Sequence, residues 1–402
     1  MRRASDADRE RLNETFAALC RIESPSGQER GCADWVTREL RAMGLEVEED
    51  DVGPSVGSNA GNLLVRIPGA GAGPDPGAGA RPDPGAGPGR GSILLCGHMD
   101  TVPLTAPVEP VLVDGGWTNA GEGILGADNK TALAVMVEVA RRFAGSGSAP
   151  APVGIELLFT VCEEISLLGA LAFDVSRLES RLGYVFDHAT PIGEVVIAAP
   201  TLHRIVAEFH GRAAHAGVRP EAGRSAIAAA ARAIAAMQLG RLDPETTANV
   251  GTIAGGTAIN VVPERCRVEA EVRSVDRDRA EALATEMIDH LQDAADAAEC
   301  DLDVTVERLI EGYRIRPRAT EVALAEQALR ACGYEPSHIL TGGASDANAF
   351  RTAGFPCLNL ADGTEHNHEP TERISVNALE DLLELAIALV EESAPILEGT
   401  AS

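Results

Sequence analysis

The chain has 402 residues, of which 45% are hydrophobic and 24% charged, and its formal net charge is −27 at pH 7. That length exceeds one small hydrophobic core and predicts two domains, and the composition is typical of a folded globular protein. So large a negative charge, with no basic stripe, excludes a nucleic-acid-binding protein, because binding to phosphates requires clustered Lys and Arg.

The sequence predicts neither a signal peptide nor a membrane span. The basic start Met1-Arg2-Arg3 is followed by a mixture of acidic and polar residues, and no uncharged apolar run reaches ~18 residues. The eight cysteines are scattered without CxxC pairs, a pattern typical of buried thiols in a reducing compartment. We therefore expect a cytoplasmic protein without a membrane partner.

The first half of the chain alternates predicted helices with short apolar strands. Helices are predicted over 6–20, 31–43 and 129–144, and strands over 62–67, 92–97, 154–161 and 182–186. Residues 68–91 contain the hexapeptide PDPGAG twice and cannot form a core, which predicts a mobile surface loop between two strands. Fully apolar strands separated by helices favour an α/β domain whose sheet is buried between helices.

From about residue 201 the predicted elements follow a different order. Strands are predicted over 204–210, 249–253, 265–273 and 301–309, and helices over 223–239 and 277–298. This βαββαβ order is the ferredoxin-like arrangement, and it predicts an inserted domain over 201–314. Residues 1–200 and 315–402 would form the other domain, which resumes with helices over 320–332 and 375–392 and a strand over 355–360.

Acidic and histidine side chains follow several of the predicted strands. They are His98 and Asp100, Glu163 and Glu164, Asp187, and the pair His366 and His368, with Asp128 at the start of a predicted helix. In an open α/β sheet, ligands bind beyond the carboxyl ends of the strands. We therefore expect these side chains to line one cleft.

A cluster of carboxylates and imidazoles in one cleft predicts bound divalent metal. Closely spaced carboxylates in a dry site repel each other, and a cation removes that conflict. Mixed His and carboxylate ligation suits zinc, with cobalt or manganese as substitutes. Taken alone, His98 or Asp187 is more simply explained as a turn residue. The recurrence of such residues at five strand or helix ends favours the metal site.

The sequence resembles the zinc peptidase superfamily that includes peptidase T, dipeptidases, glutamate carboxypeptidases and aminoacylases, and it is most similar to the peptidase T-like branch. The resemblance extends over nearly the whole chain. It rests on the motifs GHMDTVP (97–103), ILGADNK (124–130), EEISLLGA (163–170), GRAAHAG (211–217), GGTAINVVP (255–263), TGGASDAN (341–348) and HEPTERI (368–374). The fold it implies is a zinc-peptidase catalytic domain with a mixed sheet between helices, plus an inserted lid and dimerisation domain.

The resemblance implies two divalent metal ions, with zinc expected and cobalt or manganese as alternatives. His98 and Asp187 would hold one ion, Glu164 and His368 the other, and Asp128 would bridge both. A histidine four residues before Glu372 fits the family pattern, which favours His368 over His366 as the ligand.

The resemblance also implies the catalytic residues. Glu163 would be the general base that accepts a proton from water and passes it to the leaving amine. Asp100 would orient the ligating imidazole of His98. Two positions depart from the usual pattern, because Cys162 precedes the acidic pair and Asn129 stands where the nearest relatives often have Asp.

Substrate contacts are implied at five further positions, namely His215, Asn260, Arg273, Gly343 and Ser345. Without the resemblance, the first three are more simply explained as a turn histidine, a strand-edge amide and a surface arginine. The Gly-rich stretch over 342–346 could form a backbone nest for a substrate carboxylate or acyl oxygen, or a tight turn alone.

The function that the resemblance implies is hydrolysis of amide bonds in short peptides, as by a tripeptidase or aminopeptidase. The alternative on the same scaffold is an aminoacylase or carboxypeptidase that acts on N-acyl amino acids. A non-catalytic binding paralogue is disfavoured because Glu163 is present. Edge strands and apolar helix faces in the inserted domain favour a homodimer, in which the resemblance implies that His215 reaches the active site of the partner subunit.

Overall fold

The computed structural model describes residues 3–70, 91–144 and 150–399, so most of the predicted surface loop over 68–91 lies outside the described residues. The chain forms two compact units. We call the first the discontinuous unit; it comprises Met1–Ile197, Ile315–Ile339 and Ser345–Ser402. We call the second the inserted unit; it comprises Ala198–Arg314 and Leu340–Ala344.

The helices and strands follow each other in three stretches of chain. The first stretch contains α1 (Asp6–Cys20), α2 (Arg30–Ala42), β1 (Val47–Glu49), α3 (Gly53–Val56), β2 (Leu63–Ile67), β3 (Ser92–His98), β4 (Pro110–Val113), β5 (Gly116–Asn119), α4 (Ala127–Ala144), β6 (Gly154–Thr160), α5 (Leu168–Ala172), β7 (Ser180–Phe186) and β8 (Glu194–Ala199). The second contains β9 (Thr201–His210), α6 (Ala226–Ala236), β10 (Gly240–Asp243), β11 (Thr246–Gly255), β12 (Arg265–Ser274), α7 (Arg277–Ala297), β13 (Asp301–Ile310) and β14 (Tyr313–Arg314). The third contains α8 (Thr320–Cys332), β15 (Ser337–Leu340), α9 (Asp346–Thr352), β16 (Cys357–Leu360), β17 (Thr364–Glu365), β18 (Arg373–Ser375) and α10 (Val376–Gly399).

The largest sheet is mixed, with strand order β1-β2-β6-β3-β7-β16-β8-β14 and β15 paired to β8. Strands β6, β3, β7 and β16 run parallel, whereas β2 and β8 pair antiparallel to their neighbours. Every residue of the apolar strand β3 is buried, and helices α4 and α10 pack on it. The α/β architecture with a mixed sheet between helices is confirmed.

The discontinuous unit also contains a four-stranded sheet with order β17-β18-β5-β4. The sequence did not predict this sheet. Its strands have two to four residues each. Such short segments carry too few side chains to show an alternating pattern, so nothing in their hydropathy marks them as strands.

The inserted unit has the predicted βαββαβ order. Its sheet runs β10-β11-β12-β9-β13, and all its pairings are antiparallel. Alternate residues of β9 and β12 are buried, and Ile205, Phe209 and Val268 belong to the core cluster formed with α6 and α7. The ferredoxin-like arrangement is confirmed, with β10 as an additional edge strand.

Two further features concern the whole described chain. The eight cysteines are free thiols, of which all but Cys332 are buried. Within residues 3–70, 91–144 and 150–399, no helix combines the length and the apolar character needed to cross a membrane.

Candidate metal centre

Three neighbouring parallel strands bring the candidate residues to one edge of the large sheet. His98 is the last residue of β3, Glu163 follows β6, and Asp187 directly follows β7. Because β3 pairs with both β6 and β7 in parallel, the carboxyl ends of the three strands lie side by side. This is the position at which open α/β sheets bind ligands.

The imidazole of His98 is buried and oriented at both nitrogens. Its Nε2 lies 3.1 Å from Asp128 Oδ1, and its Nδ1 lies 3.0 Å from the Asp100 carbonyl oxygen and 3.4 Å from Asp100 Oδ1. One nitrogen therefore faces the candidate metal position while the other is held by Asp100. That is the usual arrangement of a ligating histidine and its orienting carboxylate.

Two groups of metal-ligand atoms share one carboxylate. His98, Asp128 and Asp187 form one group, and Asp128, Glu164 and His368 form the other. Within each group the ligand atoms lie within 4.8 Å of one another. His368 Nε2 is 3.0 Å from Glu164 Oε1 and 3.2 Å from Asp128 Oδ2. The structure thus brings together all five predicted ligands, with Asp128 in the shared position.

The structure separates the two competing histidines. His366 is exposed, and its Nδ1 lies 3.0 Å from Thr371 Oγ1, away from both ligand groups. Between the two histidines, Asn367 donates a hydrogen bond of 2.9 Å to Asp128 Oδ2. His366 and His368 both adopt left-handed backbone conformations, with φ of 60° and 67°, and their side chains have different partners although they are two residues apart.

Burial and mutual repulsion shape the charges of this cluster. Burial, followed by the charge of Asp128, raises the pKa of Asp187 well above its usual value. Burial also acts to raise the pKa of Asp128, but hydrogen bonds from His368 and His98 outweigh it and hold that pKa below its usual value. Hydrogen bonds with Asp128 and Glu164 raise the pKa of His368 to about 10.

The donor set fits divalent metal ions. Burial opposes protonation of His98, but hydrogen bonds with Asp100 and Asp128 raise its pKa, and the neighbouring carboxylates likewise favour protons on His368. A divalent ion can replace those protons and satisfy the carboxylates at once. Two imidazoles and three carboxylates form the mixed nitrogen and oxygen ligand set that zinc binds.

Glu163 is buried beside the ligands without belonging to either group. Burial, followed by the charge of Asp187, raises the pKa of its carboxyl group well above the usual value. The carboxylate of Asp100 accepts hydrogen bonds from the backbone N–H groups of Glu163 and Glu164, at 3.0 and 3.1 Å. Asp100 therefore positions the acidic pair as well as His98.

Glu372 has a structural role that the sequence did not reveal. Its buried carboxylate accepts three backbone hydrogen bonds, from Leu125, Gly126 and Asp128, at 2.7, 2.7 and 2.9 Å. These bonds hold the turn that presents the shared Asp128, whose peptide bond to Asn129 is cis. The only sequence signal was the family spacing that placed His368 four residues before Glu372.

Glu29 is a second residue that sequence reasoning missed. It is fully buried and accepts hydrogen bonds from Ser58 Oγ at 2.6 Å, Gly27 N at 2.8 Å and Cys162 N at 3.2 Å. Cys162 has a left-handed φ of 54° and directly precedes Glu163. Glu29 thus holds the turn that carries the acidic pair, and no local motif marks it because its partner is 133 positions away.

Three predicted substrate contacts belong to the inserted unit. His215 lies in an exposed turn, where its Nδ1 accepts a hydrogen bond from Gly217 N at 3.2 Å. Asn260 is exposed, and its carbonyl accepts from Ala216 N at 2.9 Å, so both residues belong to one pair of apposed loops. Arg273 on β12 donates to the carboxylate of Glu271 at 2.9 and 3.0 Å.

The Gly-rich stretch over 342–346 differs from an open backbone nest. Gly343 N donates to Thr341 Oγ1 at 3.0 Å, and Ser345 N donates to Asn348 Oδ1 at 3.2 Å. Ser345 is buried and directly precedes α9. Two of the backbone donors that a nest would offer are therefore engaged within the protein.

Two family models match the sequence. The model for the peptidase dimerisation domain of the M20 peptidases matches residues 199–299, and the model for peptidase family M28 matches residues 82–189. The protein YqjE of Bacillus subtilis is 34% identical over 385 residues, which cover 96% of this chain and 98% of YqjE.

Two solved structures resemble the whole chain. The aminopeptidase PepT from Bacillus cereus has 36% sequence identity and a TM-score of 0.82, and a tripeptidase from Staphylococcus aureus has 32% identity and a TM-score of 0.86. In both comparisons the match covers 96% of this chain and 99% of the other chain.

Proposed function

The chain belongs to the peptidase T-like branch of the M20 metallopeptidases, and from that premise we propose that it hydrolyses short peptides with two zinc ions held by His98, Asp128, Glu164, Asp187 and His368. The observation that carries the proposal is the sharing of Asp128 between two groups of ligand atoms. A carboxylate that belongs to both ligand groups, as Asp128 does, suits a site for two ions. Cobalt or manganese could take the place of zinc in the same ligand set.

When bound, divalent ions in such a site supply Lewis acidity, which lowers the pKa of water and polarises a carbonyl group. The chain's own contribution is proton transfer and positioning. Glu163 is the proposed proton acceptor, since its raised pKa brings it closer to the range in which a general base works best at neutral pH. The same carboxyl group can then pass the proton to the leaving amine. Asp100 keeps Glu163 and His98 in place.

The proposed substrates are short peptides with a free amino terminus. The similar solved structures are an aminopeptidase and a tripeptidase, and each matches nearly the whole chain. The alternative of hydrolysing N-acyl amino acids is not favoured by these relatives. For each substrate, the inserted unit would contribute His215, Asn260 and Arg273. Gly343 and Ser345 would contribute through atoms other than their backbone N–H groups, which bond within the protein.

The proposed working form is a cytoplasmic homodimer. The match to a peptidase dimerisation domain over 199–299 supports the dimer. Strand β11 supports it as well, because β10 pairs only with Thr246, Thr247 and Ala248, and the remainder of that strand is largely exposed. Eight free thiols are consistent with a reducing compartment.

The test is a substrate screen with zinc-reconstituted protein and a matched pair of variants. We expect hydrolysis of tripeptides in preference to N-acyl amino acids. Glu163→Gln should lower kcat by about 10²–10⁴-fold while zinc binding remains, because only the proton acceptor is lost. Glu164→Gln, one residue further, should instead weaken zinc binding. Turnover of Glu163→Gln at the wild-type rate, or a wild-type enzyme inactive on every peptide, would contradict the proposal.

A further inference from the structure

Lys130 is a buried cation next to the metal centre, and neither the ligand set nor the proton transfer accounts for it. It lies on α4, two residues after the shared ligand Asp128, and its side chain is 1% exposed. A buried ammonium group is costly unless it is well bonded. The hydrogen bonds of the ammonium group therefore have to offset that cost.

The contacts of Lys130 converge on the backbone between two residues of the site. Its Nζ donates to the Met99 carbonyl oxygen at 2.5 Å and to Ser24 Oγ at 2.5 Å, and it lies 3.4 Å from Cys32 Sγ. Ser24 Oγ in turn donates to the same Met99 carbonyl at 2.7 Å. Among the described residues, the ammonium group thus bonds only to neutral acceptors, and no carboxylate is its partner.

Met99 separates His98 from Asp100, and its carbonyl belongs to the peptide unit that leads to Asp100. The Met99 N–H is also fixed, because it donates to the Thr160 carbonyl at 2.8 Å. With both its N–H and its carbonyl bonded, the backbone at Met99 has little freedom to rotate. A rotation there would move the carbonyl and carboxylate of Asp100 away from His98 Nδ1, the ring nitrogen that they hold.

We propose that Lys130 is a positioning residue of the metal centre, which ties the start of α4 to the Met99 carbonyl and so holds His98 and Asp100 in register with Asp128. His98 lies on β3 and Asp128 lies on α4, so these two ligands of the first group belong to separate elements. The side chain of Lys130 joins these two elements through the Met99 carbonyl. The inference rests on the proposed metal centre.

The experiment measures zinc affinity of the metal-free protein by competition with a chelating indicator. Lys130→Met keeps the volume of the side chain and removes the donor. We expect it to lose about 10–100-fold in zinc affinity, the range seen when a group that orients a metal ligand is removed. Ser24→Ala should shift affinity in the same direction by less, because Lys130 still holds the carbonyl.

Thr131→Val is the matched control. Thr131 is equally buried on the same helix, but its hydroxyl donates to the Ala127 carbonyl at 2.8 Å rather than to Met99, so zinc affinity should remain that of the wild type. If Lys130→Met does not keep the wild-type circular dichroism, the zinc affinity of Ser24→Ala is the test instead. Wild-type affinity in that variant would then overturn the positioning role. Wild-type zinc affinity in a folded Lys130→Met protein overturns the positioning role alone, whereas a wild-type protein that binds no zinc overturns the metal centre itself.

Discussion

Two histidines two residues apart, His366 and His368, offer the sharpest test at the scale of single residues. Only His368 Nε2 lies near Glu164 and Asp128. We expect His368→Ala to lose one of two bound zinc ions, and His366→Ala to keep both, because the side chain of His366 bonds to Thr371 and belongs to neither ligand group. Metal content after dialysis, measured by atomic emission, distinguishes them. Loss of zinc from His366→Ala but not from His368→Ala would reverse the assignment.

Apart from Asp100, the sequence indicated the residues that bear the chemistry but not those that hold them. His98, Asp128 and Glu164 lie in short motifs, so their types and order are readable along the chain. Glu29 and Lys130 each bond to a backbone atom far away in sequence, Cys162 N and the Met99 carbonyl. Every residue has the same backbone atoms, so the sequence does not mark which of them will be a hydrogen-bond partner. Such partners can be identified only when the fold is known.

At the scale of elements, close approach between β3 and α4 depends on Gly97. A Cβ atom there would lie 2.6 Å from Asn129 Oδ1 and 2.8 Å from the Ala132 Cβ. Neither neighbour can give way easily, since Asn129 Nδ2 also donates to the Phe186 carbonyl at 2.6 Å. Gly97 therefore allows the helix that carries Asp128 to pack directly on the strand that carries His98.

We expect Gly97→Ala to destabilise the metal-free protein by about 1–3 kcal/mol, the usual cost of overpacking a core. Zinc affinity should fall as well, because α4 must shift away from β3. Urea unfolding followed by circular dichroism measures the first effect. The control is Gly121→Ala, whose added Cβ would meet its nearest neighbour, the Pro107 carbonyl oxygen, at 3.5 Å. Equal stability of the two variants would show that the contact can relax.

The long elements were readable from the sequence, whereas the short ones were not. Helices α1 and α8 have the predicted bounds, Asp6–Cys20 and Thr320–Cys332. At the start of α1, Ser5 and Asp8 form a capping box, which is a local signal. Helix α9 has seven residues and strands β17 and β18 have two and three, so tertiary pairing rather than local pattern determines them.

At the scale of the whole molecule, the proposed dimer makes a prediction about shared active sites. If His215 acts in the site of the partner subunit, His215→Ala and Glu163→Gln subunits are each inactive alone. Mixing them under conditions of subunit exchange should restore one competent site per heterodimer. The measurement is peptide hydrolysis, with native mass spectrometry to verify exchange. Continued inactivity of a verified heterodimer would place His215 outside the partner's site.

The three backbone hydrogen bonds of Glu372 have a consequence for the protein's synthesis. Glu372 and Leu125 are 247 positions apart, and the predicted ligand His368 lies four residues before the same glutamate. During translation, β3, β6 and β7 leave the ribosome long before the segment that contains His368 and Glu372, and early segments can begin to fold as they emerge. A nascent chain nevertheless lacks both the second imidazole and the support for the Asp128 turn. On the proposed mechanism, the peptidase therefore stays inert throughout most of its own translation, beside other newly made polypeptides.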